Sequence, residues 1–160
     1  MILKKTSKKI SKSAASTKIF GRNFAEKILK LPLKHKAVII GLAGELGSGK
    51  TSFLQGFAAG LGIKEKILSP TFVIFKRFAI KKKWFKNFYH FDCYRMKNEK
   101  ELSGLAFKQI IADPGNVVAI EWPEKIKKIL PKDFFKIKFR FINKNTREII
   151  IYDGKTFGDN

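Results

Sequence analysis

Gly44-Glu45-Leu46-Gly47-Ser48-Gly49-Lys50-Thr51 decides how this chain folds. The eight residues fit G-x-x-x-x-G-K-[ST], the phosphate-binding P-loop. Glycines let such a loop curl, so that successive backbone N–H groups point inward at phosphate oxygens. A following helix adds the positive end of its dipole. In this chemistry Lys50 reaches the β- and γ-phosphates, and the Thr51 hydroxyl binds Mg²⁺. The flanks agree. Ala37 to Leu42 reads as a buried strand and Ser52 to Ala59 as a helix. The alternative is a Gly-rich turn with no ligand. Strand, loop and helix in that order favour the P-loop.

Outward from the loop, 160 residues fit one domain, with 44% apolar and 13% aromatic residues for a core. The expected division is a basic, frayed lead over residues 1–13, with a short strand around Ile10, and a single domain over 14–160. No apolar run approaches the roughly 18 residues of a membrane span. The lysine-bearing N-terminus has no apolar core of a secretory signal. A lone Cys93 excludes an internal disulfide framework and suits the cytosol.

The formal charge of +21 points to a nucleic-acid surface or to mutational bias. Only five of the 34 basic residues are Arg. Lys, Ile, Phe and Asn, all with AT-rich codons, are abundant. Evolved nucleic-acid surfaces favour Arg for its bidentate contacts, so bias is the better account. A basic surface attracts RNA whatever its origin.

Along the chain, Ser16-Thr17 can cap a helix to about Lys30, with Phe20, Phe24, Ile28 and Leu31 on one stripe. Phe72 to Ile80 and Trp84 to Phe91 read as a hairpin turning at Lys81-Lys82-Lys83, which implies a mixed sheet. Glu99 to Ala112 reads as a helix, Val117 to Ile120 as a buried strand and Glu124 to Leu130 as a short helix. Phe134 to Ile142 and Arg147 to Tyr152 form a last hairpin.

A nucleotide site also needs carboxylates. Glu121 ends the strand Val117 to Ile120, where a Walker B acid sits, and can ligate Mg²⁺ directly or through water. Its bland reading is an acid capping a turn. Asp92 also ends a strand. It binds metal-bound water or orients the attacking water, or else simply pairs with Arg95. His90 reads as a packed or surface histidine rather than a ligand. Thr71, in Ser69-Pro70-Thr71, either senses the γ-phosphate or marks a simple turn.

Taken together, GELGSGKTSF, LSPTF, HFDCYRM and AIEWPEKI resemble the TsaE (formerly YjeE) family over about residues 14–155. That family is the small bacterial ATPase of tRNA threonylcarbamoyladenosine synthesis. The resemblance implies an α/β fold of P-loop NTPase type, a three-layer sandwich with a mixed central sheet. It implies partners TsaB and TsaD, which transfer the threonylcarbamoyl group to the adenosine next to the anticodon, so that tRNA is reached through the complex. By position, Leu46, Gly47, Ser48, Gly49, Lys50 and Thr51 wrap the phosphates of ATP, and Thr51 and Glu121 hold Mg²⁺. Asp92 and Thr71 join Lys50 and Glu121 as catalytic residues. Asp92, Glu124 and Arg147 contact nucleotide, as does the segment near Ala14 or Thr17. Cys93 stands where the family usually has Leu. The lysine excess is not a family feature.

The expected protein is thus a cytoplasmic, Mg²⁺-dependent ATPase that assists tRNA modification. Its turnover alone is expected to be slow, since no arginine finger is evident near the motifs and partners often supply one. Phe72 and Trp122 are the expected apolar anchors for a partner. Two rivals remain: a small-molecule kinase, which needs an acceptor pocket and an Arg-rich lid, and a basic nucleic-acid-binding ATPase, whose affinity would fall steeply with salt.

Overall fold

The computed structural model describes residues 5–69 and 73–153. Among these residues seven strands form one sheet: β1 (Lys5–Ser11), β2 (Val38–Ala43), β3 (Phe75–Lys82), β4 (Phe85–Asp92), β5 (Asn116–Glu121), β6 (Phe135–Phe141) and β7 (Arg147–Tyr152). Their order is β1-β7-β6-β2-β5-β4-β3. β2 is central and runs parallel to both β5 and β6, and β4 is parallel to β5. The β1–β7, β6–β7 and β3–β4 pairs are antiparallel. The sheet is therefore mixed, as the hairpins implied.

β2 is apolar on both faces because both are covered. Val38, Ile40 and Leu42 join a core under α1 (Ala14–Leu29) and α2 (Lys50–Gly60). Ile39 joins a second core under α3 (Phe107–Ala112) and two 3₁₀ segments, Glu99–Leu105 and Pro123–Ile126. Three layers result. Among the described residues no helix is long and apolar enough to cross a membrane.

Several local expectations shift. The first helix starts three residues early, capped by Ser13, whose hydroxyl accepts the Ser16 N–H at 3.0 Å. Thr17 does not cap. Its buried hydroxyl bonds Ser11 Oγ at 2.7 Å and ties the helix to β1. Lys5–Ser11, part of the lead, pairs with β7 as an edge strand. The helix expected over 99–112 is two pieces, with Ala106 left-handed at φ 54° between them. Leu102 and Phe107 are five residues apart, about 140° around an ideal helix. The break lets both, with Ile110, face the second core. The helix expected over 124–130 shrinks to the 3₁₀ segment Pro123–Ile126. β3 runs on through Lys82, so the hairpin turns at Lys83 and Trp84.

α1 and α2 approach closely enough to exclude side chains at their crossing. A Cβ on Gly56 would overlap the Lys18 carbonyl of α1, and one on Gly21 would overlap the Phe53 carbonyl of α2. Phe53 and Phe57, stacked at 6.2 Å, fill the space between α2 and the sheet. This packing sets where the first turn of α2 sits.

The crossing reverses an ordinary expectation. Replacing glycine by alanine inside a helix normally gains up to about 1 kcal/mol. Gly56→Ala is instead expected to lose about 1–3 kcal/mol through overpacking. Gly104→Ala, with nothing within 4 Å of the new carbon, should be neutral or stabilising. Urea unfolding of both variants checks the contrast. Equal effects at the two sites would mean that the helix crossing tolerates a methyl group.

Candidate active site

The loop of residues 44–49 leaves the C-terminal end of β2 and turns into α2. Gly47 (φ 75°) and Gly49 (φ 102°) supply left-handed conformations that a side chain would strain. Gly49 is the helix N-cap and offers no side-chain acceptor, so the first N–H groups of α2 remain for a ligand. The Ser48 hydroxyl is buried and has no hydrogen-bond partner among the described residues. The Lys50 ammonium lies inside the loop, donating to the Gly44 carbonyl and to the Glu45 carbonyl at 3.1 Å. It also sits 4.5 Å from the centre of the Trp122 ring. Curled glycines, free N–H groups and a lysine turned inward suit a phosphate chain.

The sheet brings acids to the same edge. Register pairs Leu42 of β2 with Glu121 of β5, and Glu121 with Asp92 of β4. The Trp122 N–H donates to the Leu42 carbonyl at 3.1 Å and fixes the end of β5 beside the loop. Glu121 is only 3% exposed, while Asp92 is half-buried. His90, also buried, places Nε2 3.8 Å from Glu121 Oε2. A histidine read as mere packing is thus a neighbour of the metal-site candidate. Strand alternation puts positions 90 and 92 on one face, with 121 across from them.

These contacts separate the two carboxyls. Burial pushes Asp92 up, the Tyr94 N–H opposes this, and Glu121 adds to it. Burial also acts to raise Glu121, but contact with His90, then Asp92 and Lys50, outweighs it and holds Glu121 below the usual range. Glu121 is the settled anion and Asp92 the readier proton acceptor. Burial lowers Lys50, offset by the charges of Glu121, Asp92, Glu124 and Glu45. Cys93, buried behind the site, is pushed up to about 12 by desolvation and acts as packing.

Two clefts flank the loop. The larger, about 440 Å³, is lined by Leu46, Lys50, Thr51, Asp92, Glu121 and Trp122, among others. The smaller, about 300 Å³, is lined by Gly47, Gly49, Ala14, Thr17, Asn145 and Arg147, among others. The Arg147 guanidinium donates to the Gly47 carbonyl at 2.9 and 3.1 Å and lies over the Phe141 ring. Glu124 is exposed on the 3₁₀ segment, lines neither cleft, and reaches Lys50 only through its charge. Thr71, Pro70 and Phe72 lie outside the described residues. Trp122 is half-buried against Lys50 and Tyr94 (5.1 Å) rather than an exposed anchor. Leu46, Val73 and Tyr94 are the exposed apolar residues of the larger cleft.

Sequence reading missed two features. Arg95 lines the larger cleft, across the loop from Arg147 of the smaller cleft, which the family resemblance had already named as a nucleotide contact. The signal for Arg95 was present in the H-x-D-x-Y-R run, from which only the aspartate was taken. Lys144 and Asn145 of the last hairpin turn also reach the smaller cleft, for which no local motif exists.

The sequence profile of the family described as "Threonylcarbamoyl adenosine biosynthesis protein TsaE" matches residues 11–149. The chain is similar to the "tRNA threonylcarbamoyladenosine biosynthesis protein TsaE" of Haemophilus influenzae, 36% identical over 71% of this chain and 68% of that one. It is similar to the protein of the same name from Treponema pallidum, 31% identical over 89% and 97%. Among solved structures, that of Bacillus subtilis YdiB superposes with a TM-score of 0.71 at 26% identity, covering 98% of this chain and 91% of that one.

The raised Asp92 carboxyl has a sign that can be measured. An acid whose folded pKa is raised contributes stability that is full below its unfolded value, near 3.8, and lost as pH rises through the folded value. At neutral pH the Asp92 carboxyl therefore costs stability. Asp92→Asn should melt above wild type at pH 7.5, and the gap should close as pH approaches 4. Thermal melts across that range check it. A variant less stable than wild type throughout would show that Asp92 is structural.

Proposed function

The chain belongs to the TsaE family, and from that premise we propose that it is a Mg²⁺-dependent ATPase serving tRNA threonylcarbamoyladenosine synthesis. One observation carries the reading: Lys50 and Thr51 at the head of α2 share a cleft with Asp92 and Glu121 at the sheet edge. A phosphate loop facing two carboxyls of unequal acidity has the parts that hydrolysis of a phosphoanhydride needs.

The roles divide as follows. The N–H groups of Gly47 and Gly49 hold the phosphate chain together with that of Ser48, which trades its bond to the Glu45 carbonyl (3.2 Å) for a phosphate oxygen, with Leu46 at the rim. Lys50 exchanges its loop carbonyls for phosphate oxygens, a favourable trade for a partly desolvated ammonium. Thr51 and Glu121 would hold Mg²⁺, which when bound neutralises charge on the phosphates. Asp92, the readier proton acceptor, orients the attacking water. Arg147 contacts nucleotide from the smaller cleft, and Glu124 supplies outlying negative charge. Thr71 is assigned γ-phosphate sensing on sequence grounds.

The names of the relatives support the pathway. We assign TsaB and TsaD as partners, tRNA as a target reached through them, and the cytoplasm as the compartment. Leu46, Val73 and Tyr94 around the cleft mouth provide apolar surface for a partner that follows the nucleotide state.

Lys50→Ala should abolish ATP hydrolysis while leaving the circular dichroism spectrum unchanged. Glu121→Gln should keep nucleotide affinity within about tenfold, or 1.4 kcal/mol, while hydrolysis drops by about 100-fold or more. Steady-state phosphate release with and without TsaB and TsaD, alongside titrations of a fluorescent nucleotide, reads both. Hydrolysis that survives Lys50→Ala would remove the ATPase reading.

A further inference from the structure

We propose that Arg95 is a γ-phosphate-binding catalytic residue supplied by this chain itself. The proposal rests on reading the larger cleft as the site of ATP hydrolysis.

Arg95 sits on a tight turn directly after β4. The Met96 N–H donates to the Cys93 carbonyl at 3.1 Å, closing the turn. Its two ends are buried, Cys93 at 0% and Met96 at 3%. The Cys93 N–H donates to the Glu121 carbonyl at 3.1 Å, and the Tyr94 N–H to Asp92 Oδ1 at 3.0 Å. The Tyr94 ring packs on Trp122. The turn is thus bolted to the two carboxylate residues and to the tryptophan beside Lys50. Its exposed central residues, Tyr94 and Arg95, line the cleft that contains Lys50 and Thr51.

The charge pattern makes the position informative. Phosphoryl transfer builds charge on the outer oxygens of the γ-phosphate, and cations placed there lower the barrier. Lys50 serves from the loop. Across the cleft the lining includes Asp92, Glu101 and Glu121, and Arg95 is the cation among them. None of the ion pairs among the described residues uses Arg95. Its guanidinium is therefore not spent on those carboxylates. A planar fork also matches two phosphate oxygens at once, which an ammonium cannot. In a chain where 29 of 34 cations are lysine, an arginine at this spot fits a need for that fork.

The consequence alters the expected role of a partner. No arginine finger need come from outside. What a partner can add is order, by pinning the exposed Arg95 side chain over the cleft, so slow turnover alone and stimulation on docking both follow.

The test compares Arg95→Ala, Arg95→Lys and wild type in the full chain. Affinities for ADP and for a non-hydrolysable ATP analogue are measured with saturating Mg²⁺, together with single-turnover hydrolysis. For Arg95→Ala, ADP affinity should stay within twofold, analogue affinity should fall about tenfold, and hydrolysis should fall about 10²–10³-fold. Arg95→Lys should recover little. Guanidinium ion at tens of millimolar should partly restore Arg95→Ala. ADP and analogue affinities that fall together, or hydrolysis within threefold of wild type, would overturn the proposal. If wild type shows no hydrolysis that depends on Lys50, the ATPase reading has failed. The difference between ADP and analogue affinity then decides the Arg95 contact by itself: a selective loss supports it, and no selective loss overturns it.

Discussion

The register of three parallel strands is the constraint on which the site depends. Leu42 lies opposite Glu121, and Glu121 lies opposite Asp92. Those two pairings bring residues 79 and 29 positions apart in the chain to one edge, at the N-terminus of α2. Sliding β5 by one residue would turn Glu121 to the other face of the sheet. It would also drive the apolar Val118 and Ile120 out of the second core. Burial of the strand thus enforces the position of the acid. The close crossing of α1 and α2 does the same for the other half, since it fixes where Lys50 and Thr51 project.

The site gathers groups that fold stability alone would not. Glu121 is almost wholly buried, and burial works against it. His90 beside it leaves both ring nitrogens without a hydrogen bond among the described residues. Asp92 and Lys50 are each shifted toward neutrality by desolvation. Such arrangements persist where chemistry uses them, because a low-dielectric, preorganised charge acts more strongly on a reacting group. The same crowding explains why the two carboxyls differ. Neighbouring anions cannot both ionise cheaply, and the one touching His90 keeps its charge.

Charge on this chain divides into two kinds. Most of its lysines are exposed and solvated, a distribution that composition explains. Four of the five arginines are placed more selectively, Arg77 being exposed on β3. Arg22 pairs with Glu26 and Arg140 with Glu148, while Arg95 and Arg147 face the two clefts beside the loop. The net charge of +21 is therefore a poor guide to the site, which is locally rich in carboxylates.

The P-loop, the strand before it, the helix after it and the acids at strand ends were all legible in the sequence. Each rests on local chemistry: glycine at special backbone angles, lysine and threonine at fixed spacing, apolar runs ended by a carboxylate. The mixed sheet followed from the hairpins. Elements whose form depends on a distant surface were not legible. The helix over 99–112 had local propensity for one piece, but burying both Leu102 and Phe107 required a break. Thr17 looked like a cap until β1 claimed its hydroxyl. The neighbours of His90 and the approach of Arg95 to the larger cleft are set by strand register, and Arg147 was reached only through the family resemblance. Local chemistry acts over a few residues and can be read along a chain, whereas register is decided by which faces the rest of the molecule buries.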